Sequence, residues 1–275
     1  MILTRHKTEN GPIWAANGRA LPPTTTLGFI LGLAAKDIKP FVDAQSGIGA
    51  EIEDLLLLAP VDADHEVWAS GVTYLRSRVE REAESSVADV YARVYDAPRP
   101  ELFFKSVGSR VVGHRAKIRI RRDSTWNVPE PELTLVVNRH AEIVGYTVGN
   151  DVSSRSIEGE NPLYLPQAKT YDGACALGPA IILAEGSELA NLPIHLSITR
   201  GGLEVFAGDA NTSQMKRTLD ELVEHLTREI TFPHGVFLLT GTCIVPGSDF
   251  TMVSGDIVSI TVGELTLVNE VAENS

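Results

Sequence analysis

The chain has 275 residues, of which 43% are hydrophobic and 22% are charged, and its formal net charge is -12. This composition is typical of a globular protein with one large domain and argues against intrinsic disorder. The acidic balance argues against a general surface for nucleic acid or anionic membrane. It leaves room for a small anionic substrate, because a local cation can dominate the field inside a cleft.

The N-terminus lacks an apolar segment of signal-peptide length, and the apolar runs GFILGLAA and DLLLLAP are too short to cross a bilayer. The two cysteines, Cys175 and Cys243, argue against a disulfide framework and against a metal-thiolate cluster. We interpret both as small buried hydrophobic side chains. A cytoplasmic location is therefore expected.

Residues 1–65 contain short apolar patches interrupted by NGP, LPP and KPF. This pattern predicts a small N-terminal domain packed on a main domain of residues 66–275. In the main domain, apolar residues between Leu75 and Val94 recur at helical spacing, which predicts a helix. The many charges of that segment would also suit a lid, and the sequence leaves both interpretations open.

Beyond Leu102 the chain consists mainly of short β-type runs that end at Gly, Pro, Asn or Asp. One helix is predicted among them, over Ser213–Ile230, with Asn211, Thr212 or Ser213 as its N-cap. We therefore expect an α+β fold dominated by β-structure. The predicted strands are KIRIRR, ELTLVV, EIVGYTV, GPAIIL, IHLSITR, LEVFAG and DIVSITV.

Two glutamates, Glu130 and Glu132, flank Pro131 at the start of the apolar run Leu133–Val137. Alternate side chains of a strand face the same side, so the two carboxylates would lie within roughly 7 Å of each other. Two carboxylates that enter a buried region repel each other unless a cation lies between them. The alternative is an edge strand with exposed glutamates, which would also tolerate the prolines.

A third acid, Asp151, follows the next predicted strand, residues 142–148, after a Gly-Asn turn. The sequence NRHA between the two strands predicts a hairpin, so Asp151 would lie near the start of the glutamate strand. Three converging carboxylates form an oxygen-only site, which suits Mg²⁺ or Mn²⁺ rather than zinc. Glu130, Glu132 and Asp151 are therefore candidate metal ligands.

Several segments resemble motifs of the fumarylacetoacetate hydrolase family in the same order, from about residue 67 to residue 271. They are EPELTLVV, GYTVGNDVSSRS, AKTYDGACALGP, LLTGTCIVPGSDF and SGDIVSITVGELTLVNEV. The resemblance implies a mixed β-roll with a small N-terminal domain, and metal ligation by Glu130, Glu132 and Asp151. It also implies a homodimer or homotetramer.

The reaction is less directly indicated by the motifs. Family members that hydrolyse C–C bonds resemble one another in a His and a Glu three residues apart, in a GxNYxxHxxE-like segment. In GVTYLRSRVE, Glu80 is kept but Ser77 stands where the histidine would be, and a serine hydroxyl does not accept a proton near neutral pH as imidazole does. His114 or His140 could substitute, although neither lies at the motif position. The departure argues against hydrolysis.

The segments WNVPEPELTLVVN, GNDVSSRSIEGENPLYLPQAKTYDG and CALGPAI are similar to the branch of the family that dehydrates 2-keto-3-deoxy sugar acids. Ser156 departs from that branch, which usually has Asp after SSR. The resemblance implies that a small anionic 2-oxo acid, 2-keto-3-deoxy-D-pentonate, is converted to 2,5-dioxopentanoate through an enolate stabilised by Mg²⁺. The alternatives are an acylpyruvate-type hydrolase, a 2-oxo acid decarboxylase and a non-catalytic protein with a structural ion.

The resemblance also assigns roles around the metal. Lys169 matches the site lysine of the family and is the first candidate for a proton carrier or enolate stabiliser, because a nearby Mg²⁺ would favour its neutral form. Apart from the resemblance, Glu101 is a second candidate acid or base, because the adjacent apolar LFF would desolvate it. A solvated strand-edge position is the alternative for this residue. Thr242, in the TGT turn, would bind the substrate carboxylate. Lys105 and Ser77 are predicted to line the pocket.

Overall fold

A computed structural model describes residues 1–47, 49–52, 56–75 and 94–273 of the chain. Strands account for most of its regular structure. Their bounds are β1 Ile2–Thr8, β2 Gly11–Ala16, β3 Arg19–Ala20, β4 Leu57–Leu58, β5 Glu66–Gly71, β6 Glu101–Val107, β7 Lys117–Ile120, β8 Asn127–Val128, β9 Pro131–Val137, β10 Ile143–Asp151, β11 Ser153–Ser154, β12 Cys175–Ile182, β13 Pro193–Arg200, β14 Leu203–Asn211, β15 Val236–Leu239, β16 Ile257–Val262 and β17 Leu265–Glu273.

Among the described residues, the strands form two main sheets. The larger has ten strands in the order β3-β2-β1-β12-β10-β9-β15-β5-β6, with β4 paired to β1, and the smaller has the order β14-β13-β16-β17-β7. Strand pairs are mostly antiparallel, but β15 runs parallel to β5 and β17 runs parallel to β7. Leu135, Leu196 and Ile260, from both sheets, share one apolar core. The predicted α+β class with dominant β-structure is confirmed.

Strand β9, which follows Glu130, lies in the interior of the larger sheet between β10 and β15. All seven of its residues are buried. The interpretation of this segment as an exposed edge strand is therefore wrong. Pro131 is tolerated in an interior strand because it is the first residue, where a missing N–H interrupts the ladder least.

Strand β10 continues to Asp151, beyond the predicted end at Val148. Gly149 and Asn150 are strand residues that pair with both β9 and β12, so the predicted Gly-Asn turn is wrong. A Cβ atom on Gly149 would lie 2.2 Å from Thr134 Oγ1, so this glycine is required by close packing within the sheet rather than by a turn. The predicted hairpin itself is present, since β9 and β10 are antiparallel neighbours.

The helix predicted over Ser213–Ile230 is shorter than expected. The α-helix begins after Thr218, whose hydroxyl accepts the Glu221 N–H at 3.1 Å, because this side chain satisfies a backbone donor in the first turn. Residues 212–214 form a separate 3₁₀ turn that Asn211 caps. The helices are α1 Leu27–Ile30, α2 Ala35–Ser46, α3 Arg155–Glu160, α4 Leu165–Lys169 and α5 Leu219–Thr227.

The helix predicted between Leu75 and Val94 falls, apart from these two end residues, outside the described residues. Ser77 and Glu80 belong to the same segment. The predicted pocket-lining role of Ser77 and the choice between helix and lid therefore stay predictions.

The N-terminal segment is joined to the main body through its first strand. β1 pairs with β12 antiparallel, with Ile2 opposite Ile182, so β1, β2 and β3 extend the larger sheet. Leu3 and Trp14 share an apolar cluster with Phe237 of β15. The division into domains of residues 1–65 and 66–275 stays a prediction.

None of the helices in the described part of the chain combines the length and the apolar character needed to cross a membrane.

His65 lies immediately before β5 with 1% of its surface exposed, and its ring packs edge-on against Phe237 at a centroid distance of 5.8 Å. Burial lowers the pKa of His65 below the usual 6.5, although the nearby carboxylates of Asp62 and Asp64 oppose this effect. The folded protein therefore holds this imidazole in its neutral form over a wider pH range than the unfolded chain does.

We expect the free energy of unfolding to fall as the pH decreases from about 6.5 towards the lowered pKa, because the unfolded chain then binds a proton that folded His65 does not bind. The contribution to the slope is at most about 1.4 kcal/mol per pH unit. Urea unfolding at several pH values gives the free energy of unfolding as a function of pH. The slope of this free energy against pH should be smaller for His65→Gln than for the wild-type protein. The exposed His140→Gln serves as the control, and equal slopes in both variants would contradict the prediction.

Candidate metal centre and active site

The β9–β10 hairpin places three carboxylates at one end of the larger sheet. Glu130 precedes β9, Glu132 is its second residue, and Asp151 is the last residue of β10. The Asp151 N–H donates to the Glu130 carbonyl oxygen at 3.0 Å, which fixes the two strand ends against each other. One oxygen from each carboxylate lies within 4.8 Å of the other two, and the three residues are only 1–3% exposed.

Three cationic side chains surround these carboxylates. Lys169 Nζ lies 2.8 Å from Glu130 Oε2 and 3.1 Å from Asp151 Oδ2. Arg155 donates to Glu130 Oε1 from Nε at 3.1 Å and from Nη2 at 2.9 Å. Lys105 Nζ forms an ion pair with Asp151 Oδ1 at 2.5 Å. Buried carboxylates are costly unless paired, and these cations provide the pairing for Glu130 and Asp151.

Glu132 differs from its two neighbours. Its Oε2 accepts the Gly241 N–H at 2.6 Å, but no cationic side chain of the described residues forms an ion pair with it. Burial raises the pKa of Glu132 well above its usual range, and the negative charges of Asp151 and Glu130 raise it further. The surroundings of Glu132 therefore oppose its ionisation, whereas Glu130 and Asp151 each have cationic partners.

The donor set fits a hard divalent cation. It contains oxygen atoms only, which Mg²⁺ and Mn²⁺ prefer, and the uncompensated carboxylate of Glu132 is the kind of charge that a dication stabilises. Glu130, Glu132 and Asp151 are thus the residues that could hold a metal ion, and the structure brings together all three predicted ligands.

A small cleft opens beside the candidate metal site. Glu130, Lys169, Glu101 and Thr242 line it, so three of the residues predicted for catalysis or substrate binding meet a metal ligand in one place. Lys169 also lies over the ring of Phe103, 5.6 Å from its centroid, and Phe103 forms one wall of the cleft. The arrangement combines a cation site, an amine, a carboxylate and a hydroxyl around a small space.

A family model for the C-terminal region of fumarylacetoacetate (FAA) hydrolase matches residues 66–272. The chain belongs to the fumarylacetoacetate hydrolase family. This confirms the family resemblance inferred from the motifs around the three ligands.

Within the family, the chain is similar to several dehydratases, both by sequence and by structure. A probable 2-keto-3-deoxyxylonate dehydratase of Haloferax volcanii is 53% identical over 77% of this chain and 73% of its own. A 2-dehydro-3-deoxy-D-arabinonate dehydratase of Saccharolobus solfataricus is 44% identical over 84% of this chain and 79% of its own. A solved 2-keto-3-deoxy-D-arabinonate dehydratase, complexed with magnesium and 2,5-dioxopentanoate, matches with a TM-score of 0.84 and 34% identity, covering 100% of this chain and 99% of its own.

The structure places Lys105 differently from the prediction. This residue is 1% exposed and lies behind Asp151, where Nζ also donates to the carbonyl oxygens of Val152 at 3.0 Å and Lys169 at 2.5 Å. It is not among the residues that line the cleft, and its ammonium contacts only protein groups. We expect Lys105 to hold Asp151 in place rather than to contact a substrate.

The TGT turn also has a more specific arrangement than predicted. The Gly241 N–H is committed to Glu132, so this amide is not available for a substrate carboxylate. The Thr242 side chain is 7% exposed and lines the cleft. The turn therefore serves both a metal ligand and the cleft wall.

Three other residues named from the sequence lie away from the cleft lining. His140 is in the β9–β10 turn, at the opposite end of the hairpin from Asp151, and His114 accepts the Val268 N–H at 3.2 Å. The Ser156 hydroxyl lies 2.8 Å from the Ser124 hydroxyl, so this departure from the usual Asp supports the neighbouring loop instead.

Arg155 and Glu158 were not predicted as site residues. Both are 3% exposed and line the cleft, and Arg155 Nε lies 3.6 Å from Glu158 Oε2. Their spacing of three residues on α3 places them on one helix face. Two opposite charges at this spacing, directly after a predicted metal ligand, were the signal that could have identified them.

We expect Lys105→Met to reduce the free energy of unfolding by about 3 kcal/mol, the lower end for a broken buried ion pair, because buried Asp151 loses Lys105 and keeps Lys169 as a partner. Lys117→Met, which removes an exposed ion pair with Glu270, should cost at most about 1 kcal/mol. Urea unfolding without added metal measures both values. Equal losses in the two variants would contradict the placement of Lys105.

Proposed function

We propose that this chain is a metal-dependent hydro-lyase that converts 2-keto-3-deoxy-D-pentonate to 2,5-dioxopentanoate. The observation that carries the proposal is the buried triad of Glu130, Glu132 and Asp151 beside a cleft that holds Lys169 and Glu101. Support also comes from the names of relatives that are 44–53% identical, which are dehydratases of this substrate class.

Glu130, Glu132 and Asp151 would hold Mg²⁺, with Mn²⁺ as an alternative of similar ligand preference. When bound, the ion supplies Lewis acidity for the 2-oxo group of the substrate. Lys105 and Arg155 contribute indirectly, since each fixes the orientation of one ligand carboxylate.

The dehydration requires that a proton leaves C3 and that the C4 hydroxyl departs with a proton as water. Lys169 Nζ is the proposed proton carrier at C3, because it lines the cleft while touching two ligand carboxylates. Glu101 is the proposed proton donor to the departing hydroxyl, since it lines the same cleft. A proton then leaves C5 and one returns to C3, which gives an enol with a C4=C5 double bond. Loss of the C5 hydroxyl proton and protonation of C4 convert this enol to the aldehyde product.

The substrate side of the cleft is assigned to the Thr242 hydroxyl, which would donate a hydrogen bond to the substrate carboxylate. Two further statements about the whole protein belong to the same proposal. Assembly as a homodimer or homotetramer is expected from the family resemblance, and the cytoplasm is the expected location.

We expect the purified protein to form 2,5-dioxopentanoate from 2-keto-3-deoxy-D-pentonate in the presence of Mg²⁺. Chelation with EDTA should abolish turnover, and added Mg²⁺ or Mn²⁺ should restore it. An aldehyde assay coupled to mass spectrometry measures the product. Release of pyruvate from acylpyruvates without dehydration would select a hydrolase instead, and carbon dioxide release from a 2-oxo acid would select a decarboxylase.

The double variant Glu130→Gln plus Glu132→Gln should lose detectable turnover. Its Kd for Mg²⁺ should rise more than about 100-fold, since changes to outer residues alone cost 10–100-fold. Isothermal titration with Mg²⁺ measures binding independently of activity. The matched control is Glu9→Gln plus Glu204→Gln, which neutralises two exposed carboxylates outside the cleft and should retain both properties. Unaltered Mg²⁺ affinity in the first variant would exclude these residues as ligands.

A further inference from the structure

Gly71 and Glu101 approach each other unusually closely at the cleft. They are paired residues on neighbouring strands, at the end of β5 and the start of β6. A Cβ atom built on Gly71 would lie 2.0 Å from Glu101 Oε2 and 2.6 Å from Glu101 Cδ. Both distances are far below ordinary van der Waals contact, so the Glu101 carboxylate occupies the space of the missing side chain.

Backbone conformation does not explain the glycine at position 71. Gly71 has no positive φ, in contrast to Gly241, whose φ is +93°. An alanine could therefore adopt the same backbone angles at position 71 without strain. The Cβ atom of the alanine would instead clash with the end of one flexible side chain, that of Glu101.

The backbone around Gly71 is held too firmly to move aside. The next residue, Val72, has a φ of +52°, which is strained for a β-branched side chain and persists only where the surroundings enforce it. Thr73 provides such a constraint, because its hydroxyl donates to the Thr240 carbonyl oxygen at 2.7 Å. Strained residues cluster at functional sites, and both Gly71 and Val72 line the cleft.

We propose that Gly71 is a positioning residue. Because it has no side chain, it leaves the space that the Glu101 carboxylate occupies and so fixes the position of that carboxylate in the cleft. The inference rests on the proposed function in one respect, since Glu101 is the proton donor there. A side chain at position 71 would displace the carboxylate while leaving the strands, the carboxylate triad and the metal site intact.

The test is Gly71→Ala. Turnover should fall about 100-fold, because a displacement of about 1 Å at a reacting group is sufficient for such a loss. KM should change less than threefold, and the melting temperature and the Mg²⁺ affinity should stay at wild-type values. A crystal structure of the variant should show the Glu101 carboxylate moved by more than about 1 Å. Gly47→Ala, where the added Cβ meets only an ordinary contact at 3.5 Å, is the control and should retain activity.

A second variant separates positioning from general damage. Glu101→Asp shortens the side chain by one methylene, so it vacates the space that an alanine at position 71 requires. In the Gly71→Ala background, Glu101→Asp should therefore cost little or should recover activity, although it lowers activity in the wild-type background. Multiplicative losses in the double variant, or an unmoved Glu101 carboxylate in the Gly71→Ala crystal structure, would overturn the inference.

The two proposals fail in distinguishable ways. If the wild-type protein forms no 2,5-dioxopentanoate, the proposed function fails, and the position of Glu101 in the Gly71→Ala crystal still decides the role of Gly71. If the wild-type protein is active and Gly71→Ala is equally active, the role of Gly71 fails and the proposed function stands.

Discussion

Repulsion among three buried carboxylates is the constraint on which the rest of this site depends. Glu130, Glu132 and Asp151 are held together by the register of one hairpin, and desolvation adds to the cost of their charges. The compensating cations come from different elements, since Lys105 belongs to β6 and Lys169 to α4. The carboxylates at the end of the hairpin are therefore stabilised only when β6 and α4 are packed against it.

Close backbone approach is the second requirement of the same region. Gly149 allows β10 to pack against Thr134, and Gly241 lies so close to Thr73 that a Cβ would be 2.1 Å from its hydroxyl. The Gly241 amide then reaches Glu132. At the cleft, the missing side chain of Gly71 likewise leaves space, which the Glu101 carboxylate occupies. Absent side chains thus determine the positions of charged groups as directly as the charged residues themselves do.

The sequence was sufficient to predict that Glu130, Glu132 and Asp151 converge, because alternation on a strand and a hairpin turn are local features. The family motifs indicated Lys169 and Thr242, and the apolar run LFF indicated Glu101. The structure brings all three to one cleft. The place of Lys105 could not be predicted, since its contacts with residues 151, 152 and 169 depend on long-range packing. The interior position of β9 could not be predicted from the sequence either, because its partner β15 lies about a hundred residues further along the chain.

Charged side chains of both signs line the cleft. Glu101 and Glu158 add two carboxylates to a site where the cations Lys105, Lys169 and Arg155 already serve the ligand triad. In a chain of net charge -12, this field opposes an anion unless a bound dication reverses its sign locally. Carboxylates, in turn, accept hydrogen bonds from hydroxyl groups. A cleft that has carboxylates in its lining beside a site for a dication suits a molecule that carries both an anionic group and hydroxyl groups, as a sugar acid does.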